Sequence, residues 1–334
     1  MVLKPQTYYL HFFGKYLYLI HSITAMSLDQ RVLILQWNLA GGFGPSDGEP
    51  RDMVSLITRI LSSPSEFHHI KQWLEYHAHE IAKKIKELGP DIVTLNEVER
   101  SLLGVDQLAI ILEETGLKHY RYTSCFRIGN HYNNGNAILS KHPFTRTYAD
   151  TAEVWPLGAV ISDGNGMRIG RYVTRASISL DGKVINVYCV HFDDSGDSRI
   201  DQAQSLVDIT GRRQEGPLLI SGDLNIQYTA DGFTYGDRDS YDGRAIGIIN
   251  GAIDHEKLPE GIDLQQTGVI DRSKWSPATY PDCNGGGFAP DRHLDYTLVR
   301  RVSHDGVQLF LTSYHSIPTG LSDHTLLLTE GILR

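Results

Sequence analysis

The sequence contains few cysteines, and none of them lies close to another. Cys125, Cys189 and Cys283 are the three cysteines among 334 residues, and there is no CxxC pair. This spacing excludes a zinc site built from paired thiolates. The low cysteine density fits a reducing compartment. Cys189 lies within an apolar run, so we expect it to be a small core residue.

The chain also has no excess of positive charge. Its 31 Lys and Arg residues are outnumbered by 40 Asp and Glu residues, which gives a formal net charge of −9. An obligate, high-affinity nucleic-acid binder usually carries a basic stripe, so this class is disfavoured. A nuclease remains compatible with the charge, because a metal and a local basic patch can hold a phosphate on an acidic protein.

No uninterrupted hydrophobic run is long enough to cross a membrane. Residues 8–23 are aromatic and apolar, but His11, Lys15 and His21 interrupt them, so we predict no transmembrane segment. Residues 1–28 are interpreted as a leader that is either disordered or weakly signal-like, so a cytoplasmic location is favoured and export stays open. No Pro/Ser tract divides the remaining apolar runs, which predicts a single domain over 29–334.

What the sequence does contain is a series of apolar runs that end in polar motifs. The runs at 32–35, 91–95, 184–190 and 218–220 are rich in Val and Ile, which is typical of strands covered on both faces. Polar side chains near a core need partners. The motifs are Gln36-Trp37-Asn38, Asn96-Glu97-Val98, His191-Phe192, Gly222-Asp223-Leu224-Asn225 and Ser322-Asp323-His324. Oxygen ligands together with histidines are what a hard cation and a phosphate ester require.

The remaining pattern mixes helices with hairpins. Apolar residues recur at helical spacing, and Asp181-Gly182 is typical of a hairpin turn. Helices are predicted at 51–62, 65–88, 106–115 and 200–210, strands at 136–140, 171–180 and 183–190, and the last two strands at 295–299 and 325–329. Residues 228–262 are predicted to form a long polar insertion. Hairpins combined with crossover helices predict two sheets packed face to face with helices outside.

The polar motifs each admit a catalytic and a structural interpretation. Glu97 is either a Mg²⁺ or Mn²⁺ ligand or a surface glutamate. Asp223 can orient or deprotonate a water while Asn225 donates to a phosphate oxygen, or the pair can form an Asx turn. Asn38 can position a water or the phosphate. His77 is more readily explained as a core histidine than as a metal ligand.

The histidines offer acid and base chemistry near neutral pH. His324 follows Asp323, but adjacent strand residues face opposite ways, so Asp295 is the better candidate to orient the His324 ring. The alternative for His324 is a structural histidine at a strand end. His191 ends an apolar strand and can either hydrogen-bond a phosphate or protonate a leaving group.

Taken in order, these residues resemble the endonuclease/exonuclease/phosphatase superfamily. The resemblance spans about residues 31–330. It rests on Trp37-Asn38, Glu97-Val98, Gly135 to Pro143, His191, Gly222 to Asn225, Leu294-Asp295-Tyr296 and Ser322-Asp323-His324, with Val105-Asp106-Gln107 and Arg199 to Gln204 resembling its bacterial-type members. It implies an α/β fold of the DNase I-like kind. That fold is a four-layer α/β/β/α sandwich in which two mixed β-sheets pack face to face with helices outside.

The resemblance also implies hydrolysis of a phosphate ester by metal-assisted, in-line attack of water. The implied cofactor is Mg²⁺ or Mn²⁺, and the implied substrate is a phosphodiester in a nucleic acid, a phospholipid or a small molecule. A monomer is expected. The implied metal ligands are Asn38, Glu97 and Asp323; the catalytic residues are His191, Asp223, Asn225, Asp295 and His324; and the phosphate-binding residues are Asn38, Asn136, Arg171, His191 and Asn225. Arg171 is chosen among nearby arginines because it opens a strand.

Two departures limit the resemblance. Asn96 stands where the family usually has Gln, and the signatures of inositol-polyphosphate 5-phosphatases are missing, which disfavours that substrate class. A sphingomyelinase-like lipid phosphodiesterase is the alternative activity, and an inactive binding module of the same fold is the alternative of another class. Substrate choice is expected to depend on the loops at 41–50, 156–170 and 228–262.

Overall fold

The Val- and Ile-rich runs form the strands that the sequence predicts, and these strands are longer than predicted. The computed structural model describes residues 29–39, 66–129, 132–145, 154–162, 167–193, 196–211, 216–226, 244–249, 264–266, 294–300, 306–317, 319–322 and 324–334. The helices are α1 (Glu66–Leu88), α2 (Gln107–Thr115), α3 (Gly196–Gly211) and α4 (Arg244–Ile249).

The strands of the described residues belong to two sheets. They are β1 (Gln30–Asn38), β2 (Ile92–Leu102), β3 (Val105–Asp106), β4 (His119–Ile128), β5 (Tyr132–Ser140), β6 (Val154–Pro156), β7 (Ile161–Ser162), β8 (Met167–Ile169), β9 (Tyr172–Leu180), β10 (Lys183–His191), β11 (Leu218–Asp223), β12 (Leu264–Gln266), β13 (Asp295–Arg300), β14 (Leu309–Ile317) and β15 (Leu326–Leu333). The first sheet has the order β14-β15-β1-β2-β5-β4-β8-β7, with β3 beside β2. The second has the order β12-β13-β11-β10-β9-β6.

Three apolar clusters stack the fold into four layers. Alternate residues of a strand face opposite ways, so Leu35 packs against α1 and α2 while Ile34 packs against the second sheet. On the far side, α3 and α4 cover the outer face of the second sheet through residues such as Leu206 and Ile249. The α/β/β/α sandwich expected from the sequence is therefore the observed architecture.

The hairpin of β9 and β10 fixes the register of the second sheet. Asp181 and Gly182 have φ angles of 47° and 85°, the positive values that a two-residue type I′ turn requires at both central positions. Leu180 pairs with Lys183, and the antiparallel register continues to Thr174 opposite Cys189. Extending this register by two residues puts the start of β9 beside His191.

Some sequence predictions differ from the structure. The statement that the last two strands are 295–299 and 325–329 is wrong, because β14 lies between them and pairs with β15. Strand β4 was also not predicted. Both strands have polar and aromatic residues on half-buried faces, which weakens the apolar signal. The predicted helix at 51–62, the loop at 41–50 and most of 228–262 lie outside the described residues.

Candidate active site

The layer between the two sheets changes from apolar to polar along every central strand. In the first sheet, inward-facing residues run from Ile34 to Gln36 to Asn38, and from Ile92 to Thr94 to Asn96. The second sheet repeats the change in Val187, Cys189 and His191, in Leu219, Ser221 and Asp223, and, on the antiparallel strand β13, in Val299, Thr297 and Asp295. All polar ends lie at the same edge of the layer, so the sequence pattern and the register together create one polar site.

Asp223 lies at the centre of this polar edge. Its Oδ2 accepts a hydrogen bond of 2.9 Å from Asn38 Nδ2. The same oxygen lies 3.6 Å from His191 Nε2 and 3.7 Å from His324 Nε2. These four side chains are nearly fully buried. A carboxylate in this setting needs the donors around it, because burial without them is costly.

His324 is held by a buried carboxylate. Its Nδ1 lies 2.8 Å from Asp295 Oδ2. A carboxylate oxygen only accepts, so Nδ1 carries a hydrogen and donates a hydrogen bond to Asp295. The other oxygen of Asp295 accepts from Gln36 Nε2 at 2.9 Å, and Trp37 Nε1 donates to the backbone oxygen of His324. The ring is thereby fixed with Nε2 directed at Asp223.

His191 has the opposite arrangement. Its Nδ1 lies 3.1 Å from Arg171 Nη1, and a guanidinium carries donors and no acceptor. Nδ1 must therefore present its lone pair, which leaves the proton on Nε2, the nitrogen that faces Glu97 and Asp223. Burial first, then Arg171 and His324, hold the pKa of His191 well below its usual value. His191 is a neutral donor at physiological pH.

Glu97 lies at an irregularity of β2. The pairing between β2 and β5 shifts between Leu95 and Val98, and Glu97 has a φ of 55°. This left-handed conformation is disfavoured for a residue with a Cβ, and it turns the Glu97 side chain toward the site. Its Oε1 lies 3.4 Å from Asn38 Nδ2 and 3.7 Å from His191 Nε2. One third of this side chain remains exposed, so its carboxylate is open to a ligand.

Asn96 joins the two sheets directly behind these groups. Its Oδ1 accepts from the backbone nitrogen of Asp223 at 2.9 Å, and its Nδ2 donates to Val190 O and to Asn136 Oδ1, both at 2.9 Å. Asn136 Nδ2 in turn donates to the backbone oxygen of Tyr172. Asn136 therefore has a structural role here, and its predicted contact with a phosphate stays a prediction.

Asn225 forms the Asx turn that the sequence allowed. Its backbone nitrogen donates to Asp223 Oδ1 at 2.8 Å, and its φ is 50°. Its side-chain Nδ2 donates to the backbone oxygen of Phe192 at 3.0 Å. This turn orients the Asp223 carboxylate. The predicted phosphate contact of Asn225 stays a prediction.

The pKa of the Asp223 carboxyl lies close to neutral pH. Burial, and the neighbouring Asp295 carboxylate, raise the pKa of Asp223 to about 7, against the lowering effect of His324. A group that titrates near neutral pH can both accept and release a proton under physiological conditions. Asp223 is thus suited to acid–base work.

Two sets of side chains offer ligands to a metal ion. Asp223, Asp295 and His324 have ligand atoms within 4.8 Å of one another. Two of these atoms, His324 Nδ1 and Asp295 Oδ2, already share a hydrogen bond, which a metal between them would break. The Glu97 carboxylate is more exposed than these groups, and its Oε1 lies at longer distances from Asn38 and His191. Asp323, the third ligand predicted from the sequence, lies outside the described residues.

The structure brings together most of the residues predicted from the sequence. Asn38, Glu97, His191, Asp223, Asp295 and His324 meet at one site, with Asn136, Arg171 and Asn225 around them. Sequence reasoning missed the roles of Gln36 and Asn96 as buried supports. Their position within strands, where an amide replaces an apolar inward residue, is the signal that indicates such a role.

Comparison with known proteins agrees with this geometry. Residues 35–324 match the sequence pattern of the Endonuclease/Exonuclease/phosphatase family. The chain belongs to this family. Its members are generally phosphoric ester hydrolases. No curated protein sequence matches the chain.

Solved structures of the family share the fold of the chain. An endonuclease/exonuclease/phosphatase from Beutenbergia cavernae is 19% identical, with a TM-score of 0.60 over 91% of this chain and 72% of that one. A family protein from Leptotrichia buccalis is 16% identical, with a TM-score of 0.56 over 89% and 98%. Truncated TDP2 from Caenorhabditis elegans is 19% identical, with a TM-score of 0.51 over 90% and 97%. Among the described residues, no helix has the length and apolarity to span a membrane.

Proposed function

We propose that the chain is a divalent-metal-dependent phosphodiesterase in which water attacks the phosphorus in line with the leaving group. One observation carries the proposal. The Asp223 carboxylate lies within 3.7 Å of two histidine nitrogens and receives a hydrogen bond from Asn38. Such a set can move a proton and stabilise phosphoryl charge at the same place.

The residues fit a hard divalent cation. Glu97 offers a partly exposed carboxylate oxygen, and oxygen ligands are what Mg²⁺ and Mn²⁺ prefer. Asn38 donates to Glu97 Oε1 at 3.4 Å, so it supports the Glu97 ligand rather than replacing it. When bound, the cation polarises a phosphoryl oxygen and offsets negative charge.

Asp223 is proposed to orient the attacking water and accept its proton. The water oxygen forms a bond to phosphorus while the bond between phosphorus and the leaving oxygen breaks. The pKa of Asp223, raised to about 7 by burial, suits a general base at neutral pH. The Asx turn to Asn225 keeps the Asp223 carboxylate in one orientation.

The two histidines are proposed to bind opposite sides of the phosphate. His191 donates from Nε2 to a nonbridging oxygen, because Arg171 occupies its Nδ1. His324, protonated on both nitrogens and paired with Asp295, donates to the leaving oxygen or to a phosphoryl oxygen. Arg171 adds positive charge at the His191 side, and Asn136 and Asn225 complete this face.

The test is hydrolysis of bis-p-nitrophenyl phosphate with Mg²⁺ or Mn²⁺. We expect turnover by the wild type and its loss in Glu97→Ala and His324→Ala. Glu87→Ala and His142→Ala are the matched controls, because Glu87 is an exposed helix residue paired with Lys84 and His142 lies near Asp91 at the start of β2. Both controls are expected to keep wild-type turnover.

The outcomes separate the possible activities. Turnover that survives Glu97→Ala contradicts the proposed metal role. No turnover together with bound Mn²⁺ indicates a phosphomonoesterase or a narrow specificity, and neither turnover nor metal binding indicates an inactive module. An active protein is then assayed with DNA, RNA and sphingomyelin, which separates a nuclease from a lipid phosphodiesterase.

A further inference from the structure

Strand β2 has a gap in its ladder at the candidate metal ligand. On one edge, β1 pairs with β2 as far as Asn38 opposite Asn96. On the same edge of β2, the pairing with β3 begins at Arg100, opposite Asp106. Between these points the backbone nitrogen of Glu99 donates to Gln107 Oε1 at 3.0 Å. A side chain thus supplies the acceptor that a neighbouring strand would otherwise provide.

Gln107 is itself firmly held. It is the first residue of α2 and is buried. The preceding Asp106 caps the helix by accepting from the nitrogen of Ala109. Asp106 also receives two hydrogen bonds, of 2.9 and 2.7 Å, from Arg100. The motif Val105-Asp106-Gln107 therefore ties α2 to the part of β2 that follows Glu97.

The second sheet repeats this arrangement after His191. The pairing of β9 with β10 ends at Cys189 opposite Thr174. Two residues beyond His191, the backbone nitrogen of Asp193 donates to Gln202 Oε1 at 2.8 Å. Gln202 lies in α3 and is buried. The backbone oxygen of the intervening Phe192 is bound by Asn225, so the chain is fixed from both sides as it leaves the sheet.

The two glutamines share one geometry. Each lies on the helix that follows a site strand, and each accepts from the backbone nitrogen two residues after a site side chain. We propose that Gln107 and Gln202 are positioning residues, Gln107 for Glu97 and Gln202 for His191. This inference rests on the proposed function, because it assigns the two glutamines to the metal and phosphate sides of that site.

Glu97 needs a positioning residue because its backbone has an unfavourable conformation. A φ of 55° is a conformation that Glu adopts only when its surroundings impose it. Releasing the nitrogen of Glu99 lets this segment relax toward an ordinary strand, which turns the Glu97 carboxylate away from the site. Partners that orient metal ligands typically change metal affinity about 10-fold to 100-fold when they are removed.

The test for Gln107 is Mn²⁺ affinity measured by electron paramagnetic resonance. Gln107→Met keeps the length of the side chain without a strong acceptor, and we expect about 10-fold weaker binding. Gln107→Glu keeps an acceptor oxygen and is expected to recover most of the affinity. Gln204→Met is the matched control, because Gln204 lies on α3 and donates to Asp208 at the exposed surface.

The test for Gln202 separates it from Gln107. Gln202→Met is expected to leave Mn²⁺ affinity within about two-fold while kcat/KM for the phosphodiester falls about 10-fold, the effect of one lost hydrogen bond. In a His191→Ala background the same substitution should have no further effect on kcat/KM. A purely structural role predicts equal losses in both backgrounds.

The outcomes distinguish this inference from the proposed function. An active wild type in which Gln107→Met binds Mn²⁺ as tightly as Gln204→Met overturns the role of Gln107 alone. A wild type that neither binds Mn²⁺ nor turns over overturns both proposals. If Gln107→Met does not fold, amide hydrogen exchange of the wild type decides: the Glu99 and Asp193 amides should be protected, and rapid exchange overturns the inference.

Discussion

His191 and His324 direct the same ring nitrogen at the same carboxylate oxygen, yet their surroundings differ. The Nε2 atoms lie 3.6 and 3.7 Å from Asp223 Oδ2. Behind His191 is the guanidinium of Arg171, and behind His324 is the carboxylate of Asp295. Burial first, and then Arg171, keep the His191 ring neutral by lowering its pKa, whereas a carboxylate beside a histidine favours the charged form of the ring.

This difference teaches that the partner of Nδ1, more than the shared neighbour, sets the chemistry of each histidine. A neutral His191 can donate a hydrogen bond but has no proton to release. His324 can carry a proton on each nitrogen and release the one on Nε2. The two sides of the site are therefore unequal in the reaction, although they are nearly equal in geometry.

The largest expected effect comes from removing each ring in turn. His324→Ala should lower kcat by about 10³-fold, because it removes a proton donor. His191→Ala should lower kcat by about 10²-fold, because it removes one hydrogen-bond donor to developing charge. Steady-state kinetics on bis-p-nitrophenyl phosphate measure both values. Equal losses would contradict the inequality between the two histidines.

The next prediction changes the partner of His324 without removing the ring. Asp295→Asn keeps the size of the side chain but removes its negative charge, so it should lower kcat by about 10²-fold. The pH dependence of kcat should also lose the limb that reports His324. Asp208→Asn, on the exposed face of α3, is the control. An unchanged pH profile would show that the charge of Asp295 is not used.

A smaller effect is expected when the partner of His191 is changed. Arg171→Met removes the donor to Nδ1 and one of the groups that lower the pKa of His191. That pKa should rise, and kcat/KM should fall about 10-fold as the ring loses its orientation. Nuclear magnetic resonance of the His191 ring follows the titration. The control is Arg127→Met, because the guanidinium of Arg127 donates to the exposed Gly129 carbonyl. This substitution should change neither quantity.

The smallest effect concerns His77, which is buried and stacks on Trp73. Burial alone lowers the pKa of His77 to about 4. Unfolding therefore takes up a proton below the usual pKa of 6.5, and stability is complete above that pH and falls as the pH decreases toward 4. The loss between pH 6.5 and 5.5 should be about 1 kcal/mol.

His77→Gln should remove this slope in the free energy of unfolding, measured by urea denaturation at each pH. His69→Gln is the control, since His69 is an exposed residue of the same helix. A slope that persists in His77→Gln would assign the proton uptake to another group. His77 shows the effect of burial alone on the pKa of a histidine. The additional lowering at His191 then gives the contribution of its charged neighbours, Arg171 first.

Much of the fold follows from local pattern. The runs around Ile34, Ile92, Val187 and Leu219 are apolar on both faces, and such runs become central strands because helices and the other sheet cover them. Strands β4 and β14 cannot be predicted from an apolar run. Their residues alternate between half-buried aromatic or polar side chains, so only pairing with a neighbouring strand shows that they belong to a sheet.

The site was predictable where a residue acts at its own strand end and less so where it acts through a partner. Asp223 follows an apolar run directly, and His324 comes just before one. Arg171 was assigned to phosphate, but the two-residue turn at Asp181-Gly182 fixes a register that brings the start of β9 to His191. That register was available from the sequence. The contacts of Gln107 and Gln202 were not, because they depend on how helices pack on the sheets.

The buried amides of Gln36 and Asn96 have a consequence for variation. Gln36 Nε2 spans the distance to both Asp295 and Asn96, and Asn96 reaches five partners with a shorter chain. The two side chains share a fixed space, so their lengths cannot change independently. Among descendants of this sequence, a Gln at position 96 should arise together with a shorter residue at position 36. Substitutions at these two positions should therefore occur in pairs.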